Sequence, residues 1–272
     1  DCRALTSVRI PKGVTKIYDD AFADCRALTS VRIPKGVTEI GSDAFSCCIE
    51  LTSVRIPKGV TKIGRNAFRK CEKLKSVKIP NSVKVIESGA FASCDNLRSI
   101  TLPKNIEVIE EYAFQYCDGI THITIPGSLT YLGNLFRDCN NLTSVTIEHG
   151  VQTIGERAFY QCESLRNISI PNSVTEIGFL AFAYCRNLKS INIPESVKSI
   201  GESAFNSCVK LKSITLPEGI TKIEYYTFDE CDALTTVTLP ASLQEIEEGA
   251  FDGCHKLTSI TLPDGLTRIG NG

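Results

Sequence analysis

The sequence predicts a solenoid, mostly β, of about twelve stacked coils of 23 residues. Three observations predict it. The stretch Leu51-Thr52-Ser53-Val54-Arg55-Ile56-Pro57 recurs as Leu28 to Pro34, as Leu74 to Pro80, and more loosely as Leu257 to Pro263. Twelve copies start at Leu5, Leu28, Leu51, Leu74, Leu97, Ile120, Leu142, Leu165, Leu188, Leu211, Leu234 and Leu257; ten of the intervals are 23 residues and one, from 120 to 142, is 22. A single coil of this length cannot bury its own apolar edge, so a core forms only where neighbours stack.

The unit reads L-x-S-V/I-x-I/L-P-x-x-V/I/L-x-x-I-G/E-x-x-A-F-x-x-C-x-x, counted from the leading Leu at offset zero. Val54 and Ile56 flank Arg55, the alternation of a short strand that turns two apolar side chains inward. Pro57 lacks an N–H for a sheet ladder and ends the strand. Val60 and Ile63 point a second edge of the coil inward. Gly64 suits a tight corner, and a positive φ is the expectation there. Tyr18, Glu87, Glu110, Glu224 and Glu247 share that slot, so left-handed geometry is not obligatory in it. Ala67-Phe68 adds one small and one large core residue, and Cys71 closes the coil.

Twelve of the thirteen Cys occupy one slot, and Cys47 is the odd one. A zinc site needs closely spaced ligands. Identical slots carry parallel Cα–Cβ vectors, which oppose disulfide torsions. A buried, reduced ladder is the expectation, since free Cys behaves as a small apolar residue. No apolar run approaches the ~18 residues of a membrane span, so no membrane insertion is expected. The net charge of −1 argues against bulk attraction to nucleic acid. That charge is unevenly spread: residues 1–117 carry 19 Lys and Arg against 13 Asp and Glu, and residues 118–272 carry 11 against 18. A basic and an acidic half raise head-to-tail self-association as a reading beside plain surface drift.

Two surfaces are candidates for protein binding. At offset four stand Arg9, Arg32, Arg55 and Lys78, then mostly Thr from Thr101 onward. At offset two runs a row of Ser, interrupted by His122. Basic and hydroxyl stripes on one concave face would form a strip. The second surface is a Tyr-rich flank around the Ala-Phe segment, with Tyr116, Tyr160 and Tyr184. Copies six and seven break the pattern together: His122 replaces Ser, one residue is missing before Phe136, and Glu148-His149-Gly150 replaces the proline segment. No nucleophile–base pair or carboxylate pair can be placed anywhere, so neither catalysis nor a cofactor or metal is expected.

The period together with the P, G, A-F and C slots resembles the BspA-like, Treponema-type leucine-rich repeat, over essentially the whole chain. The resemblance implies a curved right-handed leucine-rich-repeat solenoid with a parallel concave sheet and a convex side of short extended or 3₁₀ segments. Residues 1–272 would form a single such domain, a fragment lacking end caps. The Asn of the general leucine-rich pattern falls at offset eight, where this chain has Gly13, Gly36, Gly59, Ser82, Asn105 and Ser128, so that corner must be satisfied otherwise. The resemblance further implies a non-catalytic adhesion or recognition module at a microbial cell surface or secreted, attached to host matrix or cell-surface proteins. A structural spacer or engineered scaffold without a ligand is the alternative.

Overall fold

The computed structural model describes residues 1–272. It is a helix-free β-solenoid of about eleven turns with parallel sheets. The chain groups into two compact units, one of residues 1–129 and 135–141 and the other of residues 130–134 and 142–272. The exchange between them falls within the irregular copies. Most coils contribute one strand from the S-V-x segment and one two-residue strand that ends on the Ile of the V-x-x-I segment; the coils starting at Leu188 and Leu257 lack the first.

In the first unit the longer strands are Ser7–Arg9, Ser30–Arg32, Ser53–Arg55, Ser76–Lys78, Ser99–Thr101 and His122–Ile125. The first three pair in parallel without stagger, Ser7, Val8 and Arg9 facing Ser30, Val31 and Arg32, which face Ser53, Val54 and Arg55; Ser76–Lys78 pairs in the same way with Ser99–Thr101 in a separate sheet. The short strands Lys16–Ile17, Glu39–Ile40, Lys62–Ile63, Val85–Ile86 and Val108–Ile109 form one five-stranded parallel sheet in chain order. The second unit repeats both elements, for example Ser213–Thr215 beside Thr236–Thr238, and Lys222–Ile223 beside Glu245–Ile246. Register is fixed because a slip of one residue would turn Val31 and Val54 out to water.

Identical slots therefore stack into files. Phe22, Phe45, Phe68, Phe91, Phe114 and Phe136 make one file in the first unit, with neighbouring ring centroids 5.3–5.7 Å apart and planes within 11° of parallel. Phe159, Phe182, Phe205, Phe228 and Phe251 make the equivalent file in the second, at 5.4–5.6 Å. The leading Leu, the strand Val and Ile, the Ala and the Cys line the same core, and most are fully buried.

The expected convex side resolves into two-residue strands followed by hydrogen-bonded turns. There the backbone amides alternate in duty. Those of Asp43, Phe45 and Cys47 donate to carbonyls of the next coil, at Arg65, Ala67 and Arg69. Those of Ser46 and Cys48 donate three residues back within their own coil. The alternation is built from left-handed residues at offsets fifteen and nineteen, such as Asp43 at φ 52° and Cys47 at φ 57°.

This corrects the expectation at the Gly64 slot. Left-handed geometry lies two and six residues further on, and Gly64 itself is not in that region. The reason for Gly64 is a close approach: a Cβ there would stand 2.5 Å from the Gly41 carbonyl carbon and 2.6 Å from the Ser42 nitrogen of the coil beneath. In the second unit, Gly133 and Gly155 make room instead for the Tyr131 ring, which a Cβ on either would meet at 2.4–2.5 Å.

At three of the offset-eight Ser positions the hydroxyl serves the corner that Asn would otherwise serve, whereas the Ser82 hydroxyl is buried without a partner. Ser128 donates to the Ile106 carbonyl at 2.7 Å, Ser196 to Val174 at 2.6 Å and Ser242 to Ile220 at 2.8 Å. Ser242 also accepts the Gly219 amide at 3.0 Å, and Ser173 accepts that of Gly150 at the same distance.

Candidate functional site

The strand face of the first unit places Arg9, Arg32 and Arg55 in one file, each directly opposite the next. Lys78 lies in the next strand, opposite Thr101. All five are exposed. Neighbouring strands lie ~4.8 Å apart, so like charges recur at that interval, an arrangement that opposes folding. No ion pair or side-chain hydrogen bond holds any of the four cations. The Ser7, Ser30, Ser53, Ser76 and Ser99 hydroxyls form a parallel exposed file two residues earlier on the same face.

The adjoining short-strand sheet shows the contrast. There Lys16 meets Glu39 at 2.9 Å, Lys62 meets Glu87 at 2.6 Å and Lys84 meets Glu107 at 2.9 Å. The chain neutralises its cations on one sheet and leaves them uncompensated on the other. Sequence reasoning missed a further file of exposed cations beyond the proline, at Lys12, Lys35, Lys58 and Lys104. Their equal offset of seven was the available signal.

His122 continues the hydroxyl file, with its Nδ1 2.7 Å from the Thr121 hydroxyl. Tyr116 is 47% exposed at φ 57° on the turn side of its coil, so it does not join the basic strip. In the second unit, Tyr160 and Tyr184 meet edge to face at 5.5 Å, and the Arg186 guanidinium lies 5.7 Å from the Tyr184 ring centre. Arg157 stands likewise over Phe179 at 5.1 Å. Tyr160 and Tyr184 are half-buried, and cations lie over Tyr184 and Phe179, so these three rings are less free than Tyr116.

No group of three or more His, Cys, Asp or Glu side chains could hold a metal ion. No helix is long and apolar enough to cross a membrane. The Cys file is buried from Cys25 to Cys231. Burial pushes the Cys48 and Cys208 thiols up to about 12, so neither is a ready nucleophile.

The family of BspA type leucine rich repeat regions matches residues 1–120, 61–189 and 175–272, with six copies. No curated protein matches the chain. Among solved structures, a leucine-rich repeat protein from Bacteroides ovatus is 31% identical over 97% of this chain and 82% of its own, with a TM-score of 0.79. The T. pallidum leucine-rich repeat protein is 30% identical over 59% of this chain and 78% of its own, with a TM-score of 0.57. A leucine rich cell surface protein from Faecalibacterium prausnitzii is 30% identical over 98% and 88%, with a TM-score of 0.53. Proteins of this kind generally mediate protein interactions and are generally non-enzymatic. Period, files and family match agree: this chain belongs to the BspA type leucine rich repeat family.

Proposed function

We propose that this chain is a non-catalytic recognition module of a microbial cell-surface or secreted protein, and that it holds a protein partner on the strand face of its first unit. The observation that carries the reading is the uncompensated file Arg9, Arg32, Arg55 and Lys78, set beside a sheet whose lysines are paired. Holding like charges in register opposes stability, and an acidic partner surface would relieve that repulsion. A rigid parallel sheet presents a broad face, which suits a protein better than a small molecule. The cell-surface description of the F. prausnitzii structure supports the location. Attachment to host matrix or cell-surface proteins is the finer part of the same proposal.

The test is capture of purified matrix and cell-surface proteins by the immobilised chain, compared with the Arg32→Glu/Arg55→Glu variant. Loss of a captured protein with the fold intact is the expected result. A partner that binds the variant unchanged shows that the basic strip is not its site. Head-to-tail association is a second reading, favoured by a basic first half and an acidic second half. Light scattering that shows no growth with concentration at low salt removes it.

A further inference from the structure

We infer that the partner segment seated on the basic strip is an acidic α-helix whose carboxylates recur every three or four residues along one face. This rests on the recognition reading above and specifies its partner. Charge alone would admit any polyanion, so the spacing and the missing groups must decide.

The strip supplies one cation per coil: Arg9, Arg32 and Arg55 on paired strands at steps of ~4.8 Å, and Lys78 on the adjacent strand of the next coil. A helix rising 1.5 Å per residue brings every third or fourth residue to one face, about 5.3 Å apart along its axis. Over the three steps of the strip, ~14 Å of cations meets ~16 Å of helix, a difference that long Arg and Lys side chains absorb. An extended segment repeats on one face every ~6.7 Å, so its fourth anion lies ~6 Å out of step.

The strip also lacks the aromatic platform on which single-stranded nucleic acid stacks. Offsets two and four of these coils hold Ser, Arg, Lys, Thr and one His, with no Phe, Tyr or Trp on which bases could stack. What the face does offer is an Arg fork and a Ser hydroxyl in each of the first three coils, for example Arg32 with Ser30 and Arg55 with Ser53. A carboxylate accepts from both kinds of donor. The second cation file, Lys12, Lys35 and Lys58, lies exposed beyond the proline, where it can meet the flank of a helix seated on the first.

The experiment uses the full chain and synthetic peptides of matched length and charge. One is an Ala-rich helix with Glu along a single stripe, the second has the same composition with Glu scattered round the helix, and the third is extended with Glu at alternate positions. Heparin and a single-stranded oligonucleotide of equal charge complete the set. Binding is read by fluorescence anisotropy, and helicity by circular dichroism. The striped helix is expected to bind about tenfold more tightly than either other peptide, the size of one or two charge-assisted contacts. Arg32→Gln/Arg55→Gln is expected to weaken it, and Arg32→Glu/Arg55→Glu to abolish it. Equal binding by the scattered or extended peptide, tighter binding of heparin or oligonucleotide, or no peptide binding overturns the inference. If the peptides fail while a captured protein is still lost on charge reversal, the helix falls and the recognition reading stands. If the captured protein ignores charge reversal, the strip itself is not the site.

Discussion

The Cys94 thiol donates to the Phe68 carbonyl oxygen at 3.2 Å, and that oxygen also accepts the Cys71 amide at 3.2 Å. Each carbonyl at the Phe slot thus closes its own coil and anchors the next one. The same contact joins Cys71 to Phe45 at 3.3 Å and Cys117 to Phe91 at 3.1 Å. It explains why the slot holds Cys instead of Ala: a small apolar side chain that carries a weak donor fits a dry position facing a carbonyl.

Native thiol reactivity should follow this geometry. Cys2 is exposed and Cys47 is partly exposed, whereas Cys71, Cys94, Cys117, Cys139 and Cys185 are buried. Burial raises all five buried thiols well above the ordinary range. A disulfide reagent at mildly alkaline pH should label Cys2 and Cys47 quickly and these five only on unfolding. Rapid labelling of Cys94 in the native chain would contradict the ladder. Cys94→Ala should cost about 1–2 kcal/mol, from lost contacts and a lost donor.

The Phe file sets the larger stability term. Phe91 is fully buried between Phe68 and Phe114, with centroids at 5.3 and 5.7 Å. Phe91→Leu should cost about 1–2 kcal/mol and Phe91→Ala about 3–5 kcal/mol. Urea denaturation followed by circular dichroism measures both. Equal losses for the two variants would mean that ring stacking, instead of filled volume, dominates.

Glycine at two slots should respond oppositely to an added methyl group. A Cβ on Gly64 meets backbone at 2.5 Å, which no rotamer change can relieve. A Cβ on Gly13 meets nothing within 4 Å. Gly64→Ala is expected to destabilise by more than about 2 kcal/mol, and Gly13→Ala to stay within about 0.5 kcal/mol of the parent. Thermal denaturation of both variants decides it, and a neutral Gly64→Ala would show that the coils can separate locally.

The period, the register and the buried files were legible in the sequence, because a 23-residue repeat places Val31 over Val54 and Phe45 over Phe68 whatever the local propensity. The two left-handed positions of each coil were not. They are occupied by Asp43, Lys70, Tyr112, Arg157 and Leu180 among others, so no residue type marks them. Stacking imposes that geometry through the amides that must reach the next coil. Gly64 drew attention to a corner whose demand is steric instead of torsional. Of the candidate site, the Arg file was readable from its offset. Its lack of counter-charges was not, because Lys16 and Arg9 look alike until Glu39 is seen beside one of them only.

Those left-handed positions carry a measurable cost. Lys70 is exposed at φ 57°, and its amide donates to the Ala92 carbonyl at 2.8 Å. A side chain in this region is disfavoured by roughly 1–2 kcal/mol, which Gly avoids. Lys70→Gly should therefore raise stability by about 0.5–1 kcal/mol despite the freedom Gly gains in the unfolded chain. Lys70→Val, β-branched at the same φ, should lower it. If both substitutions lower stability equally, side-chain contacts at this position outweigh the backbone.

Acid sensitivity should concentrate at Glu247. Its side chain is 2% exposed and lies between Lys222 Nζ at 2.9 Å and Arg268 Nη2 at 2.8 Å. The hydrogen bond from Lys222, with the charge of Arg268 behind it, holds this carboxyl below its usual range. A carboxylate lowered on folding lends its stability above the unfolded pKa and loses it as pH falls through the folded one. The pair should therefore be intact at neutral pH and fail only below the ordinary carboxylate range. Glu247 and Glu224 also hold the Lys222 ammonium above its ordinary range, so the contact should persist through mildly alkaline pH. Glu247→Gln is expected to lower stability at pH 7 and to flatten the acid limb of a stability–pH profile measured by urea denaturation. An acid limb as steep in Glu247→Gln as in the parent would place the titrating group elsewhere.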